Sequence, residues 1–160
     1  MGNETFQSGS IEIRRYMPAD KRDVCNLHVL ALEAVGAYLP SPWNADLENI
    51  EDVYISGGGE FLVGTHRGEI IAMGGLKRVD ARTGEIKRMR VHPMYWRRGW
   101  GQKILLHLER RAGELEFSRL ILDTTLQQEA AQGLYIKNGY FEVARKSVDR
   151  FEVILFEKYL

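Results

Sequence analysis

The sequence predicts a single mixed α/β domain, a mostly antiparallel sheet with a central parallel βαβ unit. Three observations lead there. The chain has 160 residues, the length of one domain. Stretches of period-two apolar alternation exchange with stretches of helical apolar spacing along it. And a strand ending at Val91, a helix from about residue 100 and an apolar strand at Leu120-Ile121-Leu122 stand in the order of a right-handed crossover, which makes its two strands parallel.

Each element has its own signal. Residues 1–10 are polar and aperiodic and are expected as a loose tail, leaving 11–160 as the domain. Ile11 and Ile13 alternate with Glu12 and Arg14 as in a strand. Pro18-Ala19-Asp20 ends it and starts a helix, with Asp23 completing an approximate capping box. Val24, Leu27, Ala31, Ala34, Val35 and Tyr38 keep helical spacing, and the helix is expected to run until just before Pro40. A weaker helix is expected over 46–54, and Gly57-Gly58-Gly59 reads as a mobile connector. Phe61 to Val63, Ile70 to Val79 and Glu85 to Val91 read as a three-strand meander with turns at 66–69 and 80–84. Ile104, Leu105, Leu108, Ala112 and Leu115 mark an amphipathic helix. A last helix is expected over 129–138 with Gly139 at its C′ position, followed by strands near 141–146 and 150–156.

Composition narrows the function. Twenty-two basic residues balance 22 acidic ones, which argues against a nucleic-acid track or a surface for anionic membranes. The lone Cys25 excludes an internal disulfide and reads as inert core, and no apolar run is long enough to cross a bilayer. The expected location is the cytoplasm. The four histidines lack metal-ligand spacing, so no metal is expected. The charge is nevertheless uneven: Lys87, Arg88, Arg90, Arg97, Arg98 and Lys103 fall in a stretch with no acid after Glu85. Such a patch on a neutral protein suits a local anionic ligand.

That stretch contains Val91-His92-Pro93-Met94-Tyr95-Trp96-Arg97-Arg98-Gly99-Trp100-Gly101-Gln102, a strand end, a glycine turn and a helix start. The first N–H groups of a helix lack internal partners, and the dipole adds about half a positive charge there. Gly99 and Gly101 let a phosphate approach, and Arg97, Arg98 and Lys103 supply countercharge. A pyrophosphate fits. Ile104 stands where a dinucleotide fingerprint needs a third glycine, and Gln102-Lys103-Ile104 does not continue a Walker loop.

The same residues resemble the acetyl-coenzyme A-binding motif of the GNAT superfamily of N-acetyltransferases, Val-x-Pro-x-x-(Arg/Gln)-x-x-Gly-x-Gly/Ala, read here as Val91, Pro93, Trp96, Gly99 and Gly101. A second segment, Ala131-Gln132-Gly133-Leu134-Tyr135-Ile136-Lys137-Asn138-Gly139-Tyr140, is similar to the family's Ala-x-x-Leu-Tyr-x-x-x-Gly-Phe. The resemblance runs over nearly the whole chain and implies the GNAT fold and a direct transfer of the acetyl group of acetyl-coenzyme A to a primary amine. It implies coenzyme contacts from Met89, Arg90 and Val91 on the preceding strand, where the family commonly carries a bulge, and from Arg97, Arg98, Gly99, Trp100, Gly101, Gln102 and Lys103. Two positions depart from the pattern. Trp96 replaces the usual Arg or Gln, which shifts phosphate contact to Arg97 and Arg98 or to backbone amides. Gln128 replaces a frequent Asn that meets the pantetheine arm.

A lysine-like amine reaches its neutral form at pH 7 at a cost of roughly 4–5 kcal/mol, so a general base is useful. The resemblance points to Glu85, six residues before Val91; an exposed strand residue paired with Lys87 is the equal alternative. It makes Tyr135 the acid that protonates the departing thiolate. Tyr38 and Trp43 stand where an acceptor pocket would be walled, although aromatics beside prolines more often plug a helix end. The acceptor is a small-molecule or peptide amine of unassigned identity, and a homodimer stays open. The rival reading is a coenzyme A-binding sensor of the same fold without catalysis.

Overall fold

The computed structural model describes residues 11–40 and 42–160; the expected tail and Ser41 lie outside them. One seven-stranded sheet organises the chain, in the order β1-β2-β3-β4-β5-β7-β6. Its strands are β1 Glu12–Arg15, β2 Glu60–His66, β3 Glu69–Arg78, β4 Thr83–Val91, β5 Arg119–Thr125, β6 Phe141–Val148 and β7 Phe151–Tyr159. Only β4 and β5 pair in parallel, as the βαβ reading requires; every other neighbouring pair is antiparallel.

Two apolar layers sandwich this sheet. Helix α2, Trp100–Glu114, buries Trp100, Ile104, Leu105 and Leu108 against Ile86, Leu120 and Leu122. Helix α1, Lys21–Glu33, buries Val24 and Leu27 with Tyr54, Phe61, Val63 and Met73 on the opposite face. Each such aliphatic side chain removed from water contributes about 1.5–3 kcal/mol. Helix α3, Glu129–Lys137, buries Tyr135 beside Tyr140 and Phe156.

The sequence reading departs from the structure in three places. Helix α1 ends at Glu33, short of Pro40, because Gly36 at φ +70° turns the chain and lets the Ala37 N–H donate back to the Leu32 carbonyl at 2.9 Å. The weak helix over 46–54 divides into a 3-10 turn, Ala45–Glu48, and a π turn, Glu51–Ile55. The glycine triplet is a packed turn, not a loose connector. A Cβ on Gly59 would fall 1.9 Å from the Leu76 carbonyl oxygen, so only glycine allows β2 to start against β3.

Strand β4 positions the site through two irregularities. It pairs with β5 only from Thr83 to Glu85, while β5 goes on pairing with β7 as far as Thr125, so a wedge opens after Glu85. Opposite β3 the register shifts, Met73 facing Arg90 and Gly75 facing Lys87, which leaves one extra residue on β4. Arg88 takes it up at φ +59°. Met89 and Val91 therefore pack in the α2 layer, while Arg88 and Arg90 turn to the α1 layer.

Candidate active site: two cavities joined at Tyr135

Two cavities open along the wedge, of about 540 Å³ and about 280 Å³. Leu32, Met89, Arg90, Gln128 and Tyr135 line both. The cavities thus meet where β4 leaves β5, beneath the start of α3.

The larger cavity lies against the N-terminus of α2. Its lining includes Val91, Trp96, Arg97, Gly99, Trp100, Gly101 and Gln102. Arg97 at φ +63° and Gly99 at φ +81° curl the loop so that the first amides of α2 stay unpartnered within the helix. A Cβ at Gly101 would meet Leu134 at 3.5 Å and Val91 at 3.7 Å, ordinary contact distances, so the protein itself leaves room there. Trp100 can offer a ligand only its backbone, since its side chain is buried in the α2 core. The Gln102 side chain is committed to Asn138 by reciprocal hydrogen bonds of 2.8 and 2.7 Å, tying α2 to the end of α3. Trp96, at the position of the usual Arg or Gln, donates its indole N–H to the Val91 carbonyl at 2.8 Å. The two other expected countercharges stand outside the lining: Arg98 covers the Tyr95 ring and Lys103 the Trp100 ring.

The smaller cavity lies between β4, α1 and the ends of β5 and β7. Trp43 lines it, and Tyr38 stands behind, its ring edge-on to His28 with centroids 6.3 Å apart. Glu85 lines neither cavity; it sits on the last paired step of β4, opposite Ile121 and Lys77. The carboxylate that does reach the smaller cavity is Asp123 on β5, which the sequence reading passed over. His28 on α1 also carried no site role in the sequence reading. It lines the cavity and accepts the Arg90 Nε–H on Nδ1 at 3.3 Å. A basic run on β4 facing one helix histidine was the available signal, hidden by the bulge.

Electrostatics follow from burial. Tyr135 is pushed up to about 12 by burial and so stays protonated at neutral pH. Its hydroxyl makes no hydrogen bond to the described residues. His28 is lowered to about 3, first by burial and then by the charges of Arg90 and Arg88, and is neutral. Arg90 is lowered to about 10 by burial and by Arg88, and keeps its charge. Burial opposes ionisation of Asp46, but the Arg88 guanidinium prevails, with the Tyr54 hydroxyl helping, and holds it at about 2. Arg88 meets both Asp46 oxygens at 2.5 and 3.0 Å, and Tyr54 donates to one at 2.5 Å. Gln128 accepts from the Thr125 amide and hydroxyl on Oε1, and its amide nitrogen makes no hydrogen bond to the described residues.

The comparisons with known proteins agree with this geometry. A crystal structure of a GNAT-family acetyltransferase from Staphylococcus aureus Mu50 superposes with a TM-score of 0.86 at 23% identity, covering 93% of this chain and 98% of that one. PaiA N-acetyltransferase from Thermoplasma acidophilum, solved in complex with coenzyme A, gives a TM-score of 0.73 at 18% identity over 94% and 99%. Both likenesses concern the fold. In sequence, 74 residues are 38% identical to the uncharacterized N-acetyltransferase YedL of Escherichia coli (strain K12), 45% of this chain and 46% of that protein. The chain thus spans about half the length of the curated relatives it matches. The model of the acetyltransferase (GNAT) family matches residues 26–140, from α1 to the end of the Tyr135 motif. With both motifs inside that match and the splayed β4 between them, the chain belongs to the acetyltransferase (GNAT) family.

Proposed function

We propose that the protein is an acetyl-coenzyme A-dependent N-acetyltransferase acting on a primary amine, with the coenzyme in the larger cavity and the amine in the smaller. The observation that carries this reading is the shared lining: a protonated tyrosine, without a hydrogen bond to the described residues, stands where the two cavities join. The donor set fits a coenzyme. The α2 amides and Arg97 suit a pyrophosphate. The unpaired edge of β4 at Met89, Arg90 and Val91 suits an amide-bearing arm, as does the Gln128 amide nitrogen. The Met89 and Val91 carbonyls already accept from Arg90 and Trp96, and each keeps a second lone pair.

When bound, acetyl-coenzyme A supplies an activated acetyl thioester. The residues of the chain then have three tasks. The first is to hold both reactants at the wedge, which turns a bimolecular encounter into an oriented one. The second is to take a proton from the amine, for which Asp123 is at the cavity and Glu85 acts only through water. The third is to give the Tyr135 hydroxyl proton to the departing sulfur.

Two measurements test this. Calorimetry with coenzyme A detects binding, and thiol release from acetyl-coenzyme A over a panel of amines detects transfer; heat without release assigns a sensor. For the base, Asp123→Asn is expected to displace the acid limb of the pH–rate profile and to lower kcat by about 10²-fold. Glu85→Gln is expected to leave both within about twofold. The opposite pattern returns the role to Glu85.

A further inference from the structure

The smaller cavity has the wrong charge for a polycation. Lys87, Arg88, Arg90 and Lys146 line it, against the single carboxylate of Asp123. Asp46 neutralises Arg88 from behind, through the bidentate contact already described. Arg90 has no carboxylate partner among the described residues. Its Nε meets the neutral His28 and its Nη1 the Met89 carbonyl, which leaves Nη2 without a hydrogen bond to the described residues. Lys87 and Lys146 make no ion pair or hydrogen bond among the described residues. Thr124, 3% exposed and lining the same cavity, has a buried hydroxyl with no partner among the described residues.

A half-buried guanidinium whose neighbours are an imidazole, a carbonyl and further cations is an incomplete ion pair, because a buried charge needs an opposite charge or donors arranged around it. The missing group must be anionic, and the planar guanidinium fork matches a carboxylate. The volume, about 280 Å³, restricts the guest to a small molecule.

We propose that the acceptor is a small primary amine that itself carries a carboxylate, a free amino acid in chemical class. Its carboxylate lies toward Arg90 and Lys87, and its amine toward Asp123 and Tyr135. The inference rests on the reading of the smaller cavity as the acceptor site. It excludes polyamines and aminoglycosides, whose charge the cavity repels, and peptide N-termini, whose carboxylate is lost to the amide bond.

The test pairs each of the twenty common amino acids with its primary amide as acceptor for the full-length protein, with spermidine, kanamycin and phosphoethanolamine alongside. For the amino acid used best, kcat/KM is expected to exceed that of its amide by at least about tenfold. Lys87→Ala is expected to raise KM for that amino acid about tenfold, leaving KM for acetyl-coenzyme A within twofold. A second readout needs no turnover. In the presence of coenzyme A, calorimetry is expected to find N-acetyl amino acids binding at least about tenfold more tightly than N-acetyl amino acid amides. Preference for an amide, for spermidine or kanamycin, or for phosphoethanolamine overturns the proposal, as does equal or absent binding of the two N-acetyl forms. If coenzyme A itself gives no heat, the transferase reading fails first. If it binds and neutral or polycationic amines are used best, only the carboxylate inference fails.

Discussion

Tyr135 illustrates how one side chain can pack through its ring and offer its hydroxyl to the proposed proton transfer. Its ring rests edge-on to Tyr140 at 5.7 Å between centroids and tilted to Phe156 at 6.3 Å, while the residue lines both cavities. Burial holds that hydroxyl protonated, with its pKa near 12, as the proposed proton donor requires. Tyr135→Phe keeps the ring contacts and removes an atom that bonds to no other described residue. Stability is therefore expected to change by under about 0.5 kcal/mol, with kcat falling about ten- to a hundredfold at unchanged acceptor KM. A kcat within twofold of the parent removes Tyr135 from the proton transfer.

The loop between β4 and α2 separates two reasons for glycine. Gly99 caps α2 at φ +81°, with open space where a Cβ would stand, so its constraint is conformational. Gly101 has ordinary helical geometry and room for a methyl group, so nothing in the protein forbids alanine there. Gly99→Ala is expected to cost about 1–2 kcal/mol in urea unfolding. Gly101→Ala is expected to be neutral or stabilising by up to about 1 kcal/mol. A destabilisation at 101 equal to that at 99 would show that the helix start is strained in a way its dihedral angles do not reveal. The order of the elements was legible in advance, because turns and apolar periods are local signals. The end of α1 was legible in principle from Gly36, but the apolar spacing of Val35 and Tyr38 masked it.

Across the whole molecule, the buried cluster of Asp46, Arg88, Tyr54, Arg90 and His28 links stability to pH. His28 lies near 3 in the folded protein and at its ordinary value of 6.5 when unfolded, so the unfolded chain binds the extra proton between those limits. Its contribution is complete above about pH 6.5 and declines as pH falls toward 3, at roughly 1.4 kcal/mol per pH unit. Asp46, lowered from 3.8 to about 2, adds a loss of ~2 kcal/mol over the lower window between those values. Urea midpoints measured from pH 7.5 to 4 are expected to fall for the parent below about pH 6.5, and His28→Gln is expected to flatten the curve between about 6 and 4. Parallel curves for the two proteins exclude His28 as the source.

The sequence by itself determined the mixed sheet, the parallel βαβ unit, the glycine turn before α2 and the place of Tyr135, because each is written in residues close together along the chain. Only the tertiary structure decided which charges line the cavities. One extra residue at Arg88 reverses the faces of β4, and the early end of its pairing with β5 opens the wedge at the residue after Glu85. That brings Asp123, Arg90 and His28 from three separate elements to one cavity, while Arg98 and Lys103 turn to neighbouring rings. A bulge and a splay depend on pairing between distant segments, and side-chain direction in a strand changes with every single-residue shift in register.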